Sequence, residues 1–161
     1  MPVPEYVARL RAAVGHELLW LPGVSAVVTD PADRVLLGRR TDNGLWAIPG
    51  GILDPGEEPA VGLRREILEE TGVLARTEAL VLVDTTDVVH YASGDSAQYL
   101  NLTFWCVATG GEAHVADDES TAVGWFARDA LPEPLAASTS KRVAAYDRYR
   151  ADPANGPDFV P

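Results

Sequence analysis

The sequence predicts an α/β fold in which helices cover a mixed sheet on both faces, and three observations lead there. Apolar runs rich in Val, Thr, Phe and Trp recur at 24–29, 35–39, 79–84, 100–108 and 122–126 and have the composition of strands. A helical pattern falls among those runs, at 59–71, and two more lie near the ends, so helices and strands alternate in a layered order. At 161 residues and 47% hydrophobic content, the chain can bury the core of one domain without staples.

In chain order, Tyr6, Val7, Leu10 and Val14 recur at helical spacing with Arg9 and Arg11 between them, and Gly15 stands where a helix would end. This short amphipathic helix covers one edge of the core, with subunit pairing as the alternative. Strands at 24–29 and 35–39 flank Asp30-Pro31-Ala32-Asp33, a turn sequence. Arg39 and Arg40 close the second strand; either guanidinium can fork onto a phosphate, and a solvated strand end is the plainer reading. Trp46 reads as a core anchor. The polar segment 87–98 reads as a long loop with room for a functional part. Ser138, Thr139 and Ser140 signal the start of a C-terminal helix over about 140–150, and the tail from Ala151 reads as extended or frayed. The expected organisation is an N-terminal helical extension (1–20), a main domain (21–135), and a C-terminal helix and tail (136–161) of that same domain.

The chemistry concentrates in Gly50 to Val73, GGILDPGEEPAVGLRREILEETGV. Glu66, Glu69 and Glu70 are spaced i, i+3 and i+4, which puts three like charges on one helix face. Their mutual repulsion costs a helix a few tenths of a kcal/mol per pair, whereas a divalent cation would neutralise them. Gly50 and Gly51 let the backbone pass close to a ligand and free carbonyl oxygens for a cation. Pro55-Gly56 makes a turn, Pro59 suits the first helical position, and Gly72 is placed to cap the helix. Val61, Ile67 and Leu68 are expected to pack on the sheet, with the carboxylates pointing the other way. Gly62 costs about 0.5–1 kcal/mol relative to Ala inside a helix, which implies a close approach at that point.

Gly51, Glu57 and Arg65-Glu66-Ile67-x-Glu69-Glu70-x-Gly72-Val73 stand at the spacing of the Nudix box, G-x5-E-x7-R-E-U-x-E-E-x-G-U with U aliphatic, and match it at every defined position. Trp46-x-x-Pro49-Gly50 before it, and Glu119 with Trp125-Phe126 after it, resemble the family's flanks, so the resemblance extends over most of 22–130. It implies a Nudix-type α/β/α sandwich with a mixed central sheet and a catalytic loop-helix-loop. It also implies hydrolysis, by activated water and with Mg²⁺ or Mn²⁺, of a pyrophosphate bond in a nucleoside diphosphate linked to another moiety. On that resemblance Glu69 and Glu70 are metal ligands with a carbonyl of Gly50 or Gly51, and Glu66 is a ligand or the water-activating base. Arg65 pairs with Glu57, and Glu119 supplies a further acid, with Asp117 or Asp118 as substitutes. Mg²⁺ prefers such a set, a few carboxylates plus waters and substrate phosphates. Metal-free, the crowded carboxylates would hold protons tightly, so activity should rise toward mildly alkaline pH.

A formal net charge of −11 argues against a protein that grips nucleic acid through its phosphates. Cys106 is the only cysteine, which excludes an intramolecular disulfide and a cysteine-based zinc site. No apolar run has signal-peptide or membrane-span length, so a cytoplasmic protein with a small nucleotide substrate and no membrane partner is expected, with a homodimer left open. The substrate is less legible. Val89 stands where many ADP-ribose pyrophosphatases of the family carry proline, and Tyr91 lies near a tyrosine position of some dinucleoside polyphosphate hydrolases. Tyr91, Tyr99 and Trp105 are candidate base-stacking groups whose plainer role is packing. The alternative function is a non-catalytic Nudix domain that senses a nucleotide through a partner, for which a broken box would be the sign; this box is intact.

Overall fold

The computed structural model describes residues 4–159. The elements in order are α1 (Glu5–Val14), β1 (Leu19–Thr29), β2 (Val35–Arg40), β3 (Trp46–Ala47), β4 (Gly50–Ile52), α2 (Pro59–Thr71), β5 (Val73–Thr85), β6 (Val89–His90), β7 (Ser96–Gly111), β8 (Ser120–Phe126), α3 (Ala137–Ala151) and β9 (Asp158–Phe159). The strands form one sheet with the order β3-β2-β1-β7-β5-β9; β4 joins β1, β6 joins β7 and β8 joins β2. β1 runs parallel to β7 and β9 parallel to β5, while the other pairs are antiparallel, so the sheet is mixed. Among the described residues no helix is long and apolar enough to cross a membrane.

The two-residue period of β1 divides the core. Val24, Ala26 and Val28 pack with Leu36, Leu63, Ile67 and Cys106 on the face covered by α2. Val27 joins Val35, Leu37, Val81, Val143 and Tyr146 on the opposite face, beneath α3. Leu21 and Ala97 lie farther along that second face, where Val7 of α1 covers them. This is the expected sandwich, with two helices sharing one face.

Several boundaries differ from the sequence reading. β5 and β7 extend well beyond their apolar centres, because polar residues at the ends, such as Arg76 and Glu78, ion-pair with each other at 2.7 Å on the exposed side while the ladder continues. The segment 87–98 folds back as β6 against the start of β7. α3 begins at Ala137 with no side-chain cap: Thr139 lies inside it, buried, and its hydroxyl accepts from the Ile48 N–H at 3.2 Å. That bond and those from Trp46 N–H to the Pro134 carbonyl and Ala136 N–H to the Trp46 carbonyl, both 2.9 Å, tie the start of α3 to β3. Trp46 is half-buried with its ring edge-on to Phe126 at 4.9 Å. The tail is ordered through Phe159: β9 pairs with Leu82 and Val83, and Arg148 donates to Asp158 at 2.6 Å.

Candidate active site

Glycines press the loop before α2 against its surroundings. A Cβ on Gly50 would stand 2.3 Å from the Val24 carbonyl oxygen, and one on Gly51 would stand 2.4 Å from the Glu66 carboxyl carbon. Pro59 opens α2, and Gly72 ends it in the left-handed region at φ 70°. The close approach expected at Gly62 is present: a Cβ there would meet Glu57 and Leu53, each at 2.7 Å.

The buried stripe of α2 is Gly62, Leu63, Glu66, Ile67 and Thr71, which corrects the expected packing face. Val61 and Leu68 are exposed. At about 100° per residue, Val61 lies nearly opposite Leu63, and Leu68 a quarter-turn from Ile67. Glu66 does not point away from the protein. It is fully buried, filling the space that Gly51 leaves.

Each carboxylate therefore sits differently. Arg65 Nη1 lies 3.0 Å from Glu66 Oε1, yet neither Glu66 oxygen has a hydrogen bond of good geometry. Burial raises the Glu66 pKa, Arg65 opposes that rise, and the charges of Glu69 and Glu57 add to it. Glu69 is exposed and accepts from Arg65 Nη1 at 3.0 Å. Glu70 is half-buried; loss of solvation, then the negative charges of Glu66 and Asp117, raise it to about 8, against a backbone hydrogen bond from Gly50 and the charge of Arg40. Arg65 also grips Glu57 through Nε at 3.0 Å and Nη2 at 3.1 Å, holding the Glu57 pKa below its ordinary value, and the Asp54 N–H reaches Glu57 at 3.2 Å. The predicted Arg65–Glu57 contact is thus present and bidentate, pinning loop to helix.

The structure separates the other candidates. In the later loop, the charge of Asp117 acts on Glu70, and the Glu119 carbonyl takes hydrogen bonds from Thr41 N–H at 2.8 Å and Thr41 hydroxyl at 3.0 Å. On β2, Leu36 belongs to the α2 face and Leu37 to the α3 face, but the ladder to β8 shifts register between Arg39 and Arg40, so the alternation does not carry through to the two arginines. Arg40 is held by Asp42 at 2.9 and 2.7 Å and feels the charge of Glu70; Arg39 donates to the Gly44 carbonyl at 3.1 Å. The Tyr91 hydroxyl meets that of Tyr99 at 2.6 Å, within electrostatic range of Arg40. Trp105 is packed between Tyr146 and Tyr149 under Arg150, a core position. Sequence reasoning missed the buried Asp84 and Asn101; the signal was polar residues at core-facing positions of β5 and β7, visible only once the alternation is registered.

Among the described residues, no three His, Cys, Asp or Glu side chains converge closely enough to enclose an ion as they stand. Arg65 draws Glu69 aside, and Glu66 is folded toward Gly51. The residues nonetheless fit a hard divalent cation: the donors are oxygens, the two buried carboxylate oxygens of Glu66 take no hydrogen bond of good geometry, and Glu70, whose proton is held tightly, lies one helical turn away.

A buried acid beneath a glycine loop, with two more along one helix and an Arg clamp behind, is suited to oxygen-ligand cation chemistry on phosphates. The NUDIX domain family matches residues 19–146, and the chain belongs to that family. It is 36% identical over 115 residues to a MutT-like protein of Streptomyces ambofaciens, covering 70% of this chain and 68% of that one. It is 31% identical over 140 residues to a Mus musculus protein named 8-oxo-dGDP phosphatase; the match covers 83% of this chain but only 39% of that relative's length. Among solved structures, a MutT NUDIX hydrolase from Burkholderia pseudomallei superposes with a TM-score of 0.66 at 30% identity, over 79% of this chain and 98% of that one.

Proposed function

We propose that this chain hydrolyses the pyrophosphate bond of a nucleoside diphosphate linked to a second moiety, using Mg²⁺ or Mn²⁺. The observation that carries the reading is the carboxylate of Glu66, fully buried beside Gly51 one helical turn from Glu70, with no hydrogen bond of good geometry and only Arg65 as counter-charge. Its one counter-charge, the Arg65 guanidinium, is shared with Glu57 and Glu69, so a desolvated carboxylate is left short of positive charge that a cation would supply. Glu66, Glu69 and Glu70, with a carbonyl of Gly50 or Gly51, would hold the cation. When bound it polarises the phosphorus, lowers the pKa of water and stabilises the leaving phosphate.

The chain's own residues supply the rest. Glu57 and Arg65 hold the loop to the helix. Arg65 would release Glu69 where a cation is held, since its two bonds to Glu57 do not depend on Glu69. Glu70 would give up the proton that its surroundings favour, and Arg40, whose charge reaches Glu70, would meet a phosphate. The names of relatives support a nucleotide as substrate, and the intact acidic set favours turnover over nucleotide sensing. The test is release of phosphate or nucleotide from a panel of nucleoside triphosphates, oxidised nucleotides, ADP-ribose and dinucleoside polyphosphates, with Mg²⁺ or Mn²⁺ and with chelator. Metal-dependent release from at least one class is expected; no release from any class with either metal would overturn the reading.

A further inference from the structure

Two segments border the acidic site, and α1 touches both. Gly51 of β4 lies against Glu66, while its neighbour Ile52 turns to the other side of the sheet. There Ile52 packs in one cluster with Tyr6, Val7 and Leu10 of α1 and with Leu21, Ala97 and Tyr99. The second segment is the hairpin from β6 to β7. Its turn is closed by the Tyr91 N–H donating to the Asp95 carbonyl at 3.0 Å and the Gly94 N–H donating to the Tyr91 carbonyl at 2.9 Å. The Tyr91 hydroxyl meets that of Tyr99 at 2.6 Å, and a Cβ on Gly23, the register partner of Ile52, would stand 3.5 Å from Tyr99. Hairpin and glycine loop are thus joined through a few side chains. Arg40 feels the charges of both Glu70 and Tyr91, so the hairpin shares the neighbourhood of the acidic helix face.

Arg11, in the last turn of α1, holds that hairpin. Its Nη2 donates to the Ser96 carbonyl at 2.6 Å, and its Nε lies 3.3 Å from Asp95 Oδ1. Its Nη1 donates back to the Gly15 and Glu17 carbonyls at 3.1 and 2.5 Å, which fixes the guanidinium against the end of its own helix. His16 Nδ1 reaches the same Asp95 oxygen at 2.9 Å, and the Ser93 hydroxyl donates to the other at 2.7 Å. The Arg11 side chain is only 15% exposed. Three carbonyls and a carboxylate on one guanidinium are more than the end of a ten-residue helix requires, since the Gly15 N–H already closes it onto the Arg11 carbonyl at 2.8 Å. Nor does Arg11 take part in covering the core, which Tyr6, Val7 and Leu10 do.

We propose that Arg11 is a positioning residue for the hydrolysis proposed above: it braces the β6–β7 hairpin against α1, so that the hairpin stands as a fixed wall of the cleft in which substrate meets the acidic helix face. The inference rests on the hydrolysis reading for what the brace serves, and it adds the part of the chain that sets substrate affinity. Glu57, Arg65 and Glu66 are held by contacts of their own, none of which involves Arg11. Loosening the hairpin therefore weakens binding of substrate and transition state alike, and the change falls on KM rather than on kcat.

The test uses Arg11→Met, which keeps an apolar stem and removes the charge. In the substrate-free protein, amide exchange across residues 88–96 should quicken by about tenfold or more, while α2 and the centre of β5 keep their protection. For the nucleotide that the unmodified chain turns over fastest, KM should rise about tenfold with kcat within about twofold. Arg11→Lys, which puts a point charge in place of the fork, should recover part of both effects. Asp95→Ala removes the carboxylate on the hairpin side and should move both in the same direction; it decides if Arg11→Met does not fold. Unchanged exchange in the hairpin, faster exchange spread over the whole chain, an unmoved KM, or a kcat that falls as far as KM rises would overturn the inference. Exchange is read without substrate, so a failed brace is told apart from a failed hydrolysis reading. The latter shows as no turnover by the unmodified chain, which would remove the role of Arg11 in the reaction and leave the brace.

Discussion

Glu70 should make the metal-free protein less stable as pH rises, and Mg²⁺ should reverse the trend. Its carboxyl is raised from an ordinary 4.5 to about 8. A raised folded-state pKa means the native state holds the proton more tightly than the unfolded chain. The stabilisation is therefore full below about pH 4.5 and is lost as pH climbs through about 8. At about 1.4 kcal/mol per pKa unit, the span corresponds to an upper limit of about 5 kcal/mol. Glu66, also raised, adds in the same direction. Urea unfolding of the chelated protein at about pH 5, 6.5 and 8 measures it, with Glu70→Gln, which cannot titrate, as reference. The unmodified chain should lose several kcal/mol more than the variant across that range. With millimolar Mg²⁺ the loss should shrink, because binding the cation displaces the proton. Equal pH slopes for the two proteins would refute the account of Glu70.

Gly51→Ala should keep the fold but displace the Glu66 carboxylate, which a Cβ would meet at 2.4 Å, lowering turnover by about 100-fold or more while costing about 1–3 kcal/mol of stability; normal turnover would contradict the placement of Glu66. Glu57→Gln breaks the double contact with Arg65 and should lower activity or metal affinity by about 10–100-fold, read from Mg²⁺ titrations of turnover. Asp117→Asn should shift the Mg²⁺ dependence of turnover, since the charge of Asp117 acts on Glu70; an unchanged Mg²⁺ titration would contradict that coupling.

What the sequence made legible was local. Pro59, Gly62 and Gly72 each need a particular backbone or clearance within a few residues, and all three serve as read. The spacing of Arg65, Glu66, Glu69 and Glu70 likewise carried the acidic helix face. The burial of Glu66 was not legible, because it depends on Gly51 passing over α2. Nor were the exposure of Val61 and Leu68, since the turn of helix that meets the sheet is set by how β5 continues after Gly72. Arg39 and Arg40 look interchangeable in sequence, but Arg40 is held by Asp42 within reach of the Glu70 charge while Arg39 donates to the Gly44 carbonyl. Asp84 and Lys141 belong to distant segments, and their 2.6 Å contact exists only in three dimensions. The tail read as frayed because two residues of β9 carry no strand pattern; they are held by an edge of β5 that sequence does not announce.

The most direct test of the central claim is turnover of the best nucleoside diphosphate derivative by the unmodified chain and by Glu70→Gln, at saturating Mg²⁺. The variant keeps the size of the side chain and loses its charge, so the fold should stand while turnover falls by at least about 100-fold. A folded Glu70→Gln protein that hydrolyses the substrate at the normal rate would contradict the assignment of this carboxylate to the cation.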